Sequence, residues 1–258
     1  MTRALITNDD GVSSEGIRTL TEAALAAGLE VTVAAPHQER SGASAMLSVL
    51  EDDGRLLTER TTVAGVPALG VHASPAMIVF VAVRGAFGDP PDIVLSGVNH
   101  GPNTGQAVLH SGTVGAGLTA VSQGLPAIAV SLIGGSPRWF ETARTVTDRA
   151  LSWFLEHRDT PYVLNVNVPD IPPGELRGIR PARLAAFGAV SAEIGEIGEG
   201  YVTATFQEIQ DEPEPGTDVA LLREGWATAT ALRPPITAEA VSLEGIQEPG
   251  RGPGHNPS

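Results

Sequence analysis

The stretch Asn8-Asp9-Asp10-Gly11 sets two carboxylates side by side, directly after the apolar run Ala4-Leu5-Ile6-Thr7. Asn, Asp and Gly are also turn formers, so taken alone these residues fit an Asx turn capping the next helix. Adjacent carboxylates at the end of a buried strand are nevertheless costly unless neutralised, and a bound divalent cation would neutralise them. A second stretch, His37-Gln38-Glu39-Arg40-Ser41-Gly42-Ala43-Ser44, follows Ala35-Pro36 and alone reads as a small-residue loop with one arginine. A third, Ser96-Gly97-Val98-Asn99-His100-Gly101-Pro102-Asn103-Thr104-Gly105, leaves another apolar run and continues into His110-Ser111-Gly112-Thr113-Val114-Gly115. Six glycines between Gly97 and Gly117 let the backbone approach a ligand closely. A helix opening at Ser111 would turn free N–H groups toward an anion, which makes a phosphate-sized site.

The elements that must position these loops alternate between short apolar runs and segments of helical period, the pattern of a parallel sheet covered by helices. Strands are predicted at Ala4–Thr7, Val31–Ala35, Asp92–Ser96, Ala127–Leu132 and Tyr162–Val168. Helices are predicted over Glu15–Ala27, with Gly28 as its C-terminal cap, over Ser111–Gln123 and over Trp139–His157, where Trp139, Trp153 and Phe154 are expected to pack. Beyond Pro169 the alternation stops, and a smaller region follows with strands at Tyr201–Ile209 and Ala227–Leu232, a loop over Gln210–Thr217 and one or two helical turns at Asp218–Glu224. In open parallel α/β sheets ligands sit beyond the carboxyl ends of the strands. Asp9 and Asp10, Ser41, and Asn99 with Ser111 and Thr113 each fall there, so three loops face one crevice. Carboxylate, hydroxyl and amide oxygens form a hard donor set that suits Mg²⁺ or Mn²⁺ and disfavours zinc. A hard metal beside a phosphate-binding helix terminus points to hydrolysis of a phosphomonoester.

Composition closes other routes. The 258 residues carry 16 basic and 30 acidic side chains, a net charge of −14, and every basic residue is Arg. Such a chain is a poor partner for duplex nucleic acid or an anionic membrane. The absence of Cys excludes disulfides, thiolate metal sites and a cysteine nucleophile. Without Lys there is no Walker-type phosphate loop, Gly11 to Gly16 is not G-x-G-x-x-G, and no G-x-S-x-G occurs. The longest apolar run, Ala76–Val83, is too short to span a bilayer and the N-terminus does not read as a signal peptide, so a soluble, cytoplasmic protein is expected. A covalent aspartyl-phosphate enzyme would place carboxylates at i and i+2, and a metal-dependent glycosyltransferase would show Asp-x-Asp; both patterns are missing. A metal- and nucleotide-binding module without catalysis is the alternative that stays open.

Taken together, Thr7-Asn8-Asp9-Asp10-Gly11, Ala35-Pro36 with Glu39-Arg40-Ser41-Gly42, Ser96 to Asn103, and Ser111-Gly112-Thr113-Val114 resemble the stationary-phase survival protein family SurE. Weaker echoes lie at Asn165-Val166-Asn167-Val168-Pro169 and from Thr217-Asp218 to Leu232. The resemblance runs to about position 233 and implies a metal-dependent phosphatase acting on nucleoside 5′- and 3′-monophosphates. It implies a single Mg²⁺ or Mn²⁺ on Asp9, Asp10, Ser41 and Asn99, with Asp9, Asp10 and Asn99 acting in catalysis and Asp9 orienting or deprotonating the attacking water. Asn103, Ser111, Gly112 and Thr113 would hold the phosphate. It also implies a Rossmann-like α/β fold, a mostly parallel sheet flanked by helices with a smaller C-terminal β-rich extension. On this reading residues 1–182 are the core that carries the site, and residues 183–233 hold a hairpin exchanged between subunits of a homodimer or homotetramer, drawn from Arg183–Ile209, and a closing strand. Residues 234–258 are a tail disordered at least at its end.

The chain departs from the family pattern at Ala73-Ser74-Pro75-Ala76-Met77, where an Asp-Cys pair is usual, and at His110, where Tyr is usual. His37, His72 and His157 fit surface or core roles better than ligand roles. His100 and His110 flank the glycine-rich loop, and Arg40 could contact phosphate or solvate its own loop.

Overall fold

A computed structural model describes residues 1–40, 42–47, 55–134, 136–186, 190–198, 200–208 and 212–234. Ser41, one of the expected metal ligands, and most of the expected tail, 235–258, lie outside the described residues.

The apolar runs become strands whose alternating side chains enter two cores. In β1 (Arg3–Thr7), Ala4 and Ile6 face one side and Leu5 the other. The same division repeats in β5 (Ile93–His100) and β6 (Ala127–Ile133), the period of two that a strand imposes. The Ala4–Ile6 face packs against α1 (Glu15–Ala26) and α4 (Phe140–Glu156), the Leu5 face against α2 (Pro75–Ala82) and α3 (Gly112–Ser122). Ser14, Ser74 and Ser111 start α1, α2 and α3, each hydroxyl accepting the N–H of the third residue on. In α4 the stripe Ala143, Val146, Ala150, Leu151 and Phe154 is buried. Trp153 falls off that stripe and is exposed, stacked on His157 at 4.3 Å, contrary to the expected packing role.

The remaining strands are β2 (Glu30–Pro36), β3 (Thr58–Val63), β4 (Val66–Val71), β7 (Val163–Pro169), β8 (Ile179–Pro181) and β11 (Ala227–Leu232). They complete a nine-stranded sheet of order β3-β4-β2-β1-β5-β6-β7-β11-β8. From β4 to β7 every neighbouring pair is parallel, while β3 and β11 run antiparallel to β4 and β7. From β1 the chain goes first to β2 on one side and later to β5 on the other, so the strand order reverses at β1 and opens a crevice beyond its carboxyl end. The predicted α/β fold class is therefore observed, with β9 (Val190–Gly198) and β10 (Tyr201–Glu208) forming a separate antiparallel pair. Between β10 and β11 lies the short helix α5 (Asp218–Arg223). No helix among the described residues is long and apolar enough to cross a membrane.

Two of the features that went unpredicted lie in β3 and β5. The β3–β4 hairpin has no apolar alternation in β3, whose Thr58 to Thr62 are exposed; the backbone ladder to β4 holds it. Strand β5 runs past Ser96 to His100 through a register shift against β6, so Asn99 sits on a strand rather than in a loop. Gly97 makes the shift: its φ is +126°, and a Cβ there would lie 2.2 Å from the Val130 carbonyl oxygen.

Candidate active site

Directly after β1, Asn8 forms the expected turn. Its amide nitrogen donates to the Gly11 carbonyl at 3.0 Å and to Ser14 Oγ at 2.7 Å, tying the turn to the cap of α1. The turn therefore uses Asn8 and leaves both aspartates available. Asp9 is only 3% exposed, and the Arg40 N–H donates to its backbone carbonyl at 2.7 Å, which draws the segment after β2 against it.

The Asp9 carboxylate faces the start of α3. The Thr113 hydroxyl donates to Oδ1 and the Thr113 N–H donates to Oδ2 at 3.2 Å. A Cβ on Gly112 would come within 2.7 Å of Oδ2, so this approach requires glycine. The Ser111 hydroxyl accepts the Val114 N–H at 3.1 Å. The N–H groups that the sequence reading gives to phosphate are thus engaged by Asp9 and Ser111. Burial pushes the Asp9 carboxyl above its ordinary value, and the donors from Thr113 and Gly112 pull it back.

Asp10 takes the His100 N–H on Oδ2 at 3.2 Å, with His100 Nδ1 at 3.8 Å from Oδ1. Burial first and the neighbouring Asp9 charge second push its carboxyl up to about 6. Among the described residues no arginine pairs with either aspartate. Asn99 donates its amide nitrogen to the Gly101 carbonyl at 2.9 Å, so a cation could be met only by its oxygen. One buried and one half-buried carboxylate, both with raised pKa, fit a hard divalent cation in donor chemistry.

Asn103 is buried in a hydrogen-bond network of its own. Its side-chain nitrogen donates to Ser131 Oγ at 2.8 Å and its backbone N–H to Asn167 Oδ1 at 2.9 Å. Its carbonyl accepts from the amides of Asn165 and Asn167, each at 2.9 Å. This closed amide cluster fixes the loop that leaves β5. Two positions on, the Gly105 N–H donates to Asp218 Oδ2 at 2.8 Å, and Asp218 Oδ1 accepts the Ala185 N–H at 3.0 Å. Asp218 and the Asn165–Asn167 pair thus fix the loop that leaves β5, and the sequence showed them only as weak family echoes. His110 is exposed and His100 lies edge-on to Phe140 at 5.5 Å.

The family described as Survival protein SurE matches residues 4–189. A protein of Methylococcus capsulatus named 5′-nucleotidase SurE is 38% identical, covering 96% of this chain and 98% of its own length. One of Aeromonas hydrophila with the same name is 37% identical, with coverage of 95% and 96%. The crystal structure of the SurE protein from Aquifex aeolicus superimposes with a TM-score of 0.75 at 29% identity, covering 92% of this chain and 96% of that one. A match over most of the chain, in sequence and in three dimensions, settles the lineage: the chain belongs to the SurE family of survival proteins.

Proposed function

We infer that this protein is a divalent-metal-dependent 5′-nucleotidase that hydrolyses nucleoside monophosphates, 3′-phosphates included, to nucleoside and phosphate. One observation carries the reading: Asp9 lies buried and Asp10 half-buried at the switch point of the sheet, with Asp10 pushed up to about 6 and no arginine ion-paired to either carboxylate among the described residues. Asp9, Asp10 and Asn99 would hold one Mg²⁺ or Mn²⁺, with Ser41 as the fourth ligand. A cation held there supplies positive charge for the phosphoryl oxygens and acidifies the attacking water.

Within that site Asp9 is held by Thr113 in the orientation from which it can accept a proton from water. The Ser111 hydroxyl takes the Val114 N–H on a lone pair and keeps its own proton for a phosphoryl oxygen. Asn103 keeps a second amide proton for the same purpose, while Gly112 and Thr113 serve the phosphate by keeping Asp9 in place. The relatives named 5′-nucleotidase support the substrate class. The β9–β10 arm, with Ile194, Ile197 and Val202 exposed, supports exchange between subunits of a dimer or tetramer, to be read by light scattering.

The decisive experiment is phosphate release from a panel of nucleoside monophosphates with Mg²⁺ or Mn²⁺, then with chelator. Release that needs metal and is lost in Asp10→Asn is the expected result. Folded protein that binds nucleotide and releases no phosphate would overturn it in favour of a binding module.

A further inference from the structure

Strands β2 and β4 run parallel with Pro36 opposite Val71, so the residues that leave them, His37 and His72, are neighbours on one face. Their rings stack at 4.9 Å between centroids and 9° between planes. On the other side of β4, antiparallel β3 sets Glu59 opposite Gly70. Side chains two apart on a strand share a face, so Glu59 stands on the side of His72 and His37. Gly70 is the vacancy between them: a Cβ there would lie 3.4 Å from His37 Nδ1. The Glu59 carboxylate reaches both rings, with Oε1 at 3.0 Å from His72 Nε2 and Oε2 at 3.5 Å from His37 Nδ1.

We propose that His37, His72 and Glu59 form a second metal site, distinct from the aspartate site in ligand chemistry, that takes a divalent transition-metal ion of the zinc class. Two imidazoles and one carboxylate are a donor set for zinc and its neighbours, whereas the oxygen-only set at Asp9 and Asp10 suits magnesium or manganese. One ligating atom from each of the three residues lies within 4.8 Å of the others. Bonds of about 2.0–2.1 Å at tetrahedral angles place ligand atoms roughly 3.3 Å apart, so the site closes when the two imidazoles turn out of their near-parallel stack until both ring lone pairs meet at one point. The side chains are 34% (His37), 27% (His72) and 57% (Glu59) exposed, which gives the ion an entry path. A cleft of about 180 Å³ lined by His37, Gln38, Arg40, Val71 and His72 leaves room for water in the remaining position.

An ion there would fasten three strands at their edge. It would also anchor the start of the segment whose Arg40 N–H reaches the Asp9 carbonyl, joining the two sites mechanically.

The test uses the full chain bearing Asp10→Asn, which removes a carboxylate from the oxygen site, with Zn²⁺ or Co²⁺ as the only added metal. After dialysis, metal analysis should find one Zn²⁺ retained per chain, and Co²⁺ should show visible bands of mixed nitrogen and oxygen ligation. Adding Glu59→Gln, or the pair His37→Asn and His72→Asn, should weaken Zn²⁺ binding on the order of a hundredfold and abolish those bands. Circular dichroism and cooperative melting should be preserved, and the exposed Glu59 variant serves if the histidine pair fails to fold. Zn²⁺ retained with unchanged affinity in both variants, or no Zn²⁺ bound by the parent, overturns the proposal and leaves a hydrogen-bonded His–Glu–His cluster.

Discussion

Thr113 donates twice to Asp9, through its hydroxyl and through its backbone N–H, so the positive end of α3 is aimed at a carboxylate of the protein itself. This pairing resolves a conflict in the site. Burial pushes the Asp9 carboxyl above its ordinary value, and the donors at the helix terminus oppose that.

Replacing Thr113 by Val keeps the shape and removes the hydroxyl. Loss of that bond should cost about 1–2 kcal/mol of stability and raise the Asp9 carboxyl further. The acid limb of phosphate release should then move to higher pH, with turnover falling roughly tenfold. A pH–rate profile of the two proteins checks it.

Gly112→Ala forces a methyl group against the Asp9 carboxylate. The crowding should cost about 1–3 kcal/mol, and displacement of Asp9 should lower kcat on the order of a hundredfold with little change in KM. Steady-state kinetics together with urea unfolding separate the two effects.

Asp10→Asn should lower metal-dependent phosphate release by about 10³-fold or more while making the metal-free protein more stable. The folded Asp10 carboxyl sits at about 6 against an ordinary 3.8. A group whose folded pKa is raised contributes stability that is complete below its unfolded value and lost as pH rises through the folded one. The melting temperature of Asp10→Asn minus that of the parent should therefore grow from about pH 4 to about pH 7. Saturating Mg²⁺ should shrink the difference by stabilising the parent alone. Calorimetry across that range, with and without metal, is the measurement.

Asp218→Ala strips the acceptor from the Gly105 and Ala185 N–H groups. With the Val219 N–H, which donates to Asp218 Oδ1 at 2.9 Å, three buried donors left without partners should cost about 3 kcal/mol or more, read as a lower urea midpoint. Amide hydrogen exchange should speed up at Gly105 more than in β1.

The sheet core was legible because β1, β2, β5, β6 and β7 are apolar runs between turn residues, and α1, α3 and α4 carry a helical stripe. The β3 strand was not, since its exposed Thr58-Glu59-Arg60-Thr61-Thr62 offers no alternation to read. The aspartates were legible from their place after β1. What binds what was not: no spacing rule says that α3 points at Asp9, or that Asn103 is gripped by Asn165 and Asn167 across β6. The stacking of His37 on His72 was equally hidden, because it follows from the pairing of β2 with β4 and the sequence places those residues 35 positions apart, 72 − 37.

The bond from Gly105 to Asp218 spans 113 positions and ties the catalytic face to almost the last described element. A growing polypeptide that has emerged only through β7 already carries both aspartates and the amide cluster. It lacks the carboxylate that fixes Gly105 and the β11 strand that covers the β7 edge. Order of synthesis and order of assembly therefore run apart, and the loop after β5 gains this anchor only once α5 has emerged.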